Sequence, residues 1–292
     1  MRNLCVIILH YQTIEETQKS IDSFWDQKLP EGYQQKIIVV DNGSTNGSGF
    51  ELERKYKASN VTVLRNEKNI GFTNGNNVGF QYAKTHFSPF FLVLANNDTY
   101  TTDKSFWDKL IGAYEKERFN VAGPRIISLL DNSEQNPERR QYYSIRDILV
   151  RKRKLYTLNI LRYIRLDVIS QKIYLTIKSK LNRNHNSPIF PDDYQLFGAF
   201  LIFDEKYVNR YEGLEPLSFM YGEENILRYI IERDNLKMSF IQDIVVFHKG
   251  GASTKETFGF ADNKRKFYYE NNLLSCEALI DYIKKDKGYM EM

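Results

Sequence analysis

The chain has 292 residues, 42% of them hydrophobic and 27% charged, a composition that supports a sizeable core and excludes disorder. The longest early apolar run, residues 4–9, is too short for a leader or a bilayer span, and no later stretch reaches about 18 apolar residues, so a soluble cytoplasmic protein is expected. The net charge of +4 is unevenly spread: residues 138–183 hold thirteen Lys/Arg against three acids, a net +10, which leaves −6 on the rest. Cys5 and Cys276 stand apart from any Cys/His spacing that would bind zinc.

The first run, LCVIIL, reads as a buried strand because it lacks polar alternation. A helix follows over 13–25, with Thr13 as its cap, Glu16 in capping-box position and an apolar stripe through Ile14, Ile21 and Phe24. KIIVV (36–40) is a second strand, 50–57 a short helix, 61–64 a third strand, 73–84 a helix and PFFLVLA (89–95) a fourth strand. Strands alternating with helices predict βαβ units and a parallel sheet flanked by helices, an α/β fold. A helix over 104–116 and the segment 121–130 continue it. The basic stretch 138–185, free of glycine, reads as helical. A strand over 195–203 interrupted by Gly198, a helix over 225–234, a strand over 238–247 and a closing helix over 263–286 complete the chain. The expected division is 1–135 as nucleotide-sugar-binding half, 136–190 as basic helical insertion, 191–262 as acceptor-binding half with the catalytic loop, and 263–292 as C-terminal helix.

Each of the first four strands ends in a polar cluster, and ligands of open α/β sheets bind outside the strand carboxyl ends. VVDNGSTNGS (39–48) puts Asp41 at the end of a buried strand, placed to accept from a base N–H or a ribose hydroxyl, beside glycines that let the backbone turn; an ordinary Asp-Asn-Gly turn reads equally well. NIGFTNGNNVG (69–79) offers Gly71 and Gly75 for close backbone approach and a helix start for a phosphate, without the spacing or lysine of a Walker loop. LANND (94–98) ends in one carboxylate, enough for a hard cation that takes its other ligands from phosphates and water. FMYGEE (219–224) pairs two carboxylates in an aromatic setting, one of them suited to take a proton from a hydroxyl, although a helix start also favours Glu. His248 leaves a strand into a glycine-rich loop.

Taken together in this order, the five motifs resemble family 2 glycosyltransferases of the GT-A fold, in the rhamnosyltransferase-like branch; the resemblance covers residues 3–128 well and 195–253 more loosely. It implies a Rossmann-like, mostly parallel sheet, into which the basic helical stretch 138–185, outside the resemblance, is inserted, and inverting transfer of a sugar from a nucleotide-diphosphate donor to a hydroxyl of a saccharide or lipid-linked saccharide in cell-surface polysaccharide synthesis. Tyr11 and Asp41 would hold the nucleotide, Asn69, Gly71, Asn77 and Asn97 the sugar diphosphate, and Asp98 with His248 a Mg2+ or Mn2+ ion. Asn96 stands where the family's metal motif has its first Asp, so one charge is missing there. Glu224 would be the general base, with Glu223 its rival. The basic, apolar-studded 139–185 segment suggests peripheral contact with the inner face of an anionic membrane, and equally a helical subdomain packed on the core. A catalytically weak sugar-nucleotide-binding protein and a nucleotidyltransferase are the alternatives; the latter lacks its basic glycine-rich loop after the first strand, and nothing points to nucleic acid.

Overall fold

The computed structural model describes residues 1–57, 59–169, 193–250 and 261–288. The alternation of elements is as the sequence predicts. Strand β1 (Arg2–His10), helix α1 (Ile14–Trp25), β2 (Tyr33–Asp41), α2 (Ser48–Tyr56), β3 (Val61–Arg65), α3 (Phe72–Phe87) and β4 (Pro89–Asn96) form the first half. Then come β5 (Thr99–Tyr100), α4 (Phe106–Glu117), β6 (Val121–Ser128), β7 (Glu134–Asn136), β8 (Glu138–Arg139) and α5 (Ile145–Arg162). The last part has β9 (Tyr194–Gln195), β10 (Phe200–Asp204), α6 (Glu205–Arg210), α7 (Glu223–Arg233), β11 (Met238–His248) and α8 (Ala261–Asp286).

One mixed sheet runs in the order β3-β2-β1-β4-β10-β6-β11-β5, with β7 added beside β6. The four N-terminal strands are parallel; β10 enters antiparallel between β4 and β6 and joins the Rossmann-like half to the rest. Residues 4–8 of β1 are fully buried, as expected of a strand covered on both faces. One face packs through Ile21, Phe24, Phe106 and Trp107 of α1 and α4; the other packs through Phe80, Ala83 and Tyr207 of α3 and α6. A third cluster joins α5, α7 and α8 through Ile148, Leu155, Ile226, Tyr269 and Leu279.

Three local expectations change. The side chain of Thr13 makes no cap bond to α1; its hydroxyl oxygen accepts instead from Asn97 Nδ2 at 2.7 Å, a long-range partner that outcompetes the local one. The segment 195–203 is two strands, because Gly198 sits in a turn between β9 and β10. Of the basic stretch, 138–139 is strand and 145–162 is helix, while 170–192 lie outside the described residues.

Candidate active site

The strand ends converge. A pocket of about 260 Å3 opens where β1, β2, β4 and β11 end, against the start of α7. Tyr11, Asn69, Asn97, Asp98, Glu223, Glu224 and His248 all line it, so seven of the ten residues singled out from sequence share one wall-to-wall site.

The metal-type pair is tight. Asp98 Oδ1 lies 3.2 Å from His248 Nε2, and both side chains are nearly buried. On the far side of the ring, Nδ1 is 2.7 Å from Gln135 Oε1 of β7. The amide oxygen can only accept, so Nδ1 carries a hydrogen, and Nε2 is the ring nitrogen that faces Asp98. An imidazole nitrogen and a carboxylate this close could together hold a hard or borderline cation, since adjacent ligands around an octahedral ion with bonds of about 2.1 Å stand about 3 Å apart. Among the described residues no third His, Cys, Asp or Glu joins them, so a cation held by this pair would need substrate oxygens and water for its other ligands.

The carboxylate pair is asymmetric. Gly222, at φ 87°, turns the chain into α7 and packs against Ser275 of α8, where any Cβ would collide with the hydroxyl. Glu223 is 7% exposed, and its Oε1 has no hydrogen-bond partner. Burial, then the neighbouring Glu224 charge, pushes its carboxyl up to about 8. Glu224 is half-buried on the pocket wall, and its Oε1 accepts from the Gly198 backbone N–H at 3.2 Å. Burial raises Glu224 as well, against the pull of backbone N–H groups. Glu138 of β8 is a third acid in this field: burial and Glu224's charge push it up to about 7. Burial thus favours the neutral form of all three carboxyls; both Glu223 and Glu224 line the pocket, and Glu224 is the less buried of the two.

Three other expected ligand contacts, Asp41, Gly71 and Asn77, are not among the residues that line this pocket. Asp41 is 3% exposed; it accepts from Ser44 N at 3.0 Å, faces Arg65 Nε at 3.8 Å and lies under Gly49, which has no room for a side chain. Asn77 clamps the backbone of Leu214, donating to its carbonyl at 2.7 Å and accepting from its N–H at 2.8 Å. Gly71, at φ 89°, lets the 219 carbonyl approach so closely that a Cβ there would stand 2.4 Å from it. These residues shape the loops that carry the pocket. Asn97 lines the pocket, but its amide nitrogen is committed to Thr13 and Thr17.

Comparison with known proteins now decides the family. The sequence profile described as "Glycosyl transferase family 2" matches residues 5–184. The chain belongs to glycosyl transferase family 2. No curated protein matches it. Among solved structures it is similar to GalNAc-T7 with UDP, GalNAc and Mn2+, at TM-score 0.56 and 14% identity over 85% of this chain and 44% of that one. It is also similar to Staphylococcus aureus TarS, at TM-score 0.53 and 15% identity over 88% of this chain and 38% of that one. TarS 1–349 in complex with UDP-GlcNAc aligns with 49% of this chain and 39% of that one, at 18% identity and TM-score 0.39. The chain thus spans about two fifths of the TarS chains it matches first. At such identities the likeness speaks for the fold, which is the GT-A arrangement.

Within this family 2 site, sequence reasoning missed several contributors. Asn42 is a hub: its amide donates to Asn69 Oδ1 and to the Gly71 carbonyl, each at 3.0 Å, and its oxygen accepts from Asn66 and Ile70 N–H. It ties the loop after β2 to the loop before α3. The polar "DN" doublet was a signal, read only for its Asp. Gln135 and Glu138 carried no local signal, since each acts on a residue far along the chain.

Proposed function

We propose that the chain is an inverting glycosyltransferase of the rhamnosyltransferase-like branch, a hexosyl-transfer enzyme using a nucleotide-diphosphate sugar. Its acceptor is a hydroxyl of a saccharide or lipid-linked saccharide, in cell-surface polysaccharide synthesis. One observation carries the reading: Asp98, His248 and Glu224, from three distant segments, face one pocket at the strand ends. Asp98 and His248 would hold Mg2+ or Mn2+, which when bound offsets the charge of a departing diphosphate. Tyr11 and Asn69 would line the donor's place, with Asp41, Gly71 and Asn77 fixing the loops around it. Glu224 accepts the proton of the acceptor hydroxyl as that oxygen forms its bond to the anomeric carbon and the bond to diphosphate breaks on the opposite face. Glu223, held neutral, keeps a second negative charge away from the incoming diphosphate.

The test is release of nucleoside diphosphate from UDP-, dTDP- and GDP-sugars with Mn2+, since transferases slowly hydrolyse their donors. Turnover of at least one donor is expected. Release from none of them, or equal release by Asp98→Ala, rejects the reading.

The chain would work at the inner face of the cell membrane, held peripherally through 139–185. Among the described residues no helix is long and apolar enough to cross a membrane. What supports surface contact is α5: Ile148 and Leu155 pack inward, while Leu149, Val150, Tyr156 and Ile160 lie 40–61% exposed beside the exposed Arg146, Arg153 and Lys154. Co-sedimentation with anionic liposomes that survives Leu149→Ser/Ile160→Ser unchanged would remove this assignment.

A further inference from the structure

A run of buried polar side chains joins the loops after β1, β2 and β4 and has no role in the chemistry above. Its centre is His10, the last residue of β1, which is fully buried. The ring reaches two hydroxyls: Nδ1 is 2.6 Å from Thr17 Oγ1 of α1, and Nε2 is 2.8 Å from Ser48 Oγ at the start of α2. Past Thr17, Asn97 Nδ2 donates to the Thr17 hydroxyl at 3.0 Å and to the Thr13 hydroxyl at 2.7 Å, one residue before Asp98. Past Ser48, its hydroxyl donates to Asn46 Oδ1 at 2.6 Å, and Asn46 Nδ2 donates to the Gln12 carbonyl at 2.8 Å, one residue after Tyr11.

Thr17, Ser48 and Asn97 are buried as well. Paired polar groups of this kind stabilise little, and apolar side chains of the same shape could fill the space at similar stability. What the chain of bonds supplies is position, because each member fixes the direction of the next. Imidazole suits the central place. Burial pushes His10 down to about 4, against the opposing pull of the Asp41 charge, so the ring is neutral at physiological pH. A neutral ring donates from one nitrogen and accepts at the other, whichever carries the hydrogen, and so bridges two hydroxyls without burying a charge. The Tyr11 side depends on this support. Gln12 sits at φ 63°, a region that residues other than glycine seldom adopt, and its N–H and carbonyl are both held by the 44–48 loop, through Ser44 Oγ at 2.8 Å and Asn46.

Resting on the glycosyltransferase reading, we propose that His10 is a positioning residue for the transfer reaction. Through Thr17 and Asn97 it fixes the loop that presents Asp98. Through Ser48 and Asn46 it fixes the turn that presents Tyr11. The metal end and the nucleoside end of the donor site are thereby held at one spacing.

Calorimetric titration of the whole chain with UDP, dTDP and GDP in the presence of Mn2+ tests this, because it reads binding without turnover. Thr17→Val, which keeps the shape and removes the hydroxyl, should weaken nucleotide binding about fivefold or more, the usual worth of one hydrogen bond, and Thr17→Ser should restore it. Ser48→Ala, on the other side of the ring, should weaken binding similarly. Thr17→Val and Ser48→Ala combined should lose less than the two losses multiplied, since each already interrupts the chain at His10. His10→Phe should match that double variant; if melting shows that it does not fold, the Thr17 and Ser48 variants carry the comparison. Lower melting temperatures with nucleotide affinity unchanged, or losses from the two sides that simply multiply, overturn the role. The donor-release assay separates this role from the reading it rests on: donor cleavage with affinities indifferent to Thr17 and Ser48 sinks the positioning role alone, whereas a wild type that cleaves no donor removes the role in transfer together with the enzyme.

Discussion

Asp98 Oδ1 and His248 Nε2 stand 3.2 Å apart although they come from the ends of β4 and β11, and Gln135 holds the imidazole from its other nitrogen so that Nε2 faces the carboxylate. The pairing of β11 with β5 brings His248 opposite Thr99, the residue after Asp98, which fixes this juxtaposition in the sheet itself.

Removing either member should abolish metal-supported turnover. Asp98→Ala and His248→Ala are expected to lower donor release by about 10²-fold or more, a loss of several kcal/mol of charge stabilisation. Gln135→Ala, which frees the ring without removing a ligand, should weaken Mn2+ affinity by about 10- to 100-fold. Mn2+ titration by electron paramagnetic resonance, in the presence of nucleoside diphosphate, reads all three.

Glu224→Gln should cost at least about 10² in transfer, since the amide cannot take a proton. Because burial raises this carboxyl, the wild-type rate should climb with pH as Glu224 ionises. Near-normal turnover in Glu224→Gln would transfer the base role elsewhere.

Stability should fall as pH rises. Glu223 titrates near 4.5 when unfolded and near 8 when folded, so between those values the folded state keeps a proton that the unfolded state has lost. Glu138, pushed up to about 7, acts in the same direction over the lower part of that window. Thermal melts from pH 5 to 8 should show a declining midpoint, and Glu223→Gln should flatten the decline. A midpoint that rises across this range contradicts the burial of these acids.

Asn77→Ala should unclamp the 214 backbone and leave two polar groups of Leu214 unsatisfied. A destabilisation of about 1–3 kcal/mol is expected, read by urea unfolding. Had Asn77 been a direct donor ligand, the effect would fall on donor binding with stability unchanged.

Gly71→Ala forces a side chain into a left-handed backbone and against the Phe219 carbonyl. The loop ahead of Glu223 and Glu224 must then shift, so both melting temperature and transfer should drop, by more than the usual glycine-to-alanine change of about 1 kcal/mol.

Much of this protein could be read locally. Buried strands such as LCVIIL and KIIVV, and the helices between them, are set by the spacing of apolar side chains within a few residues, so the alternation and the polar strand ends were legible. Asp98, Glu224 and His248 stood out as candidates because each lies in a polar cluster at a strand or helix end, although a helix start also favours Glu on its own account. What the sequence left open was which side chains meet. Thr13 has a capping pattern yet bonds Asn97; Asn77 clamps the Leu214 backbone; Asp41 accepts from Ser44 within its own loop; Gln135 and Glu138 reach partners more than eighty residues away. Those outcomes depend on strand pairing and on burial, which place distant atoms within hydrogen-bond range and set their charge. Short-range periodicity contains neither, so only the tertiary structure decided them.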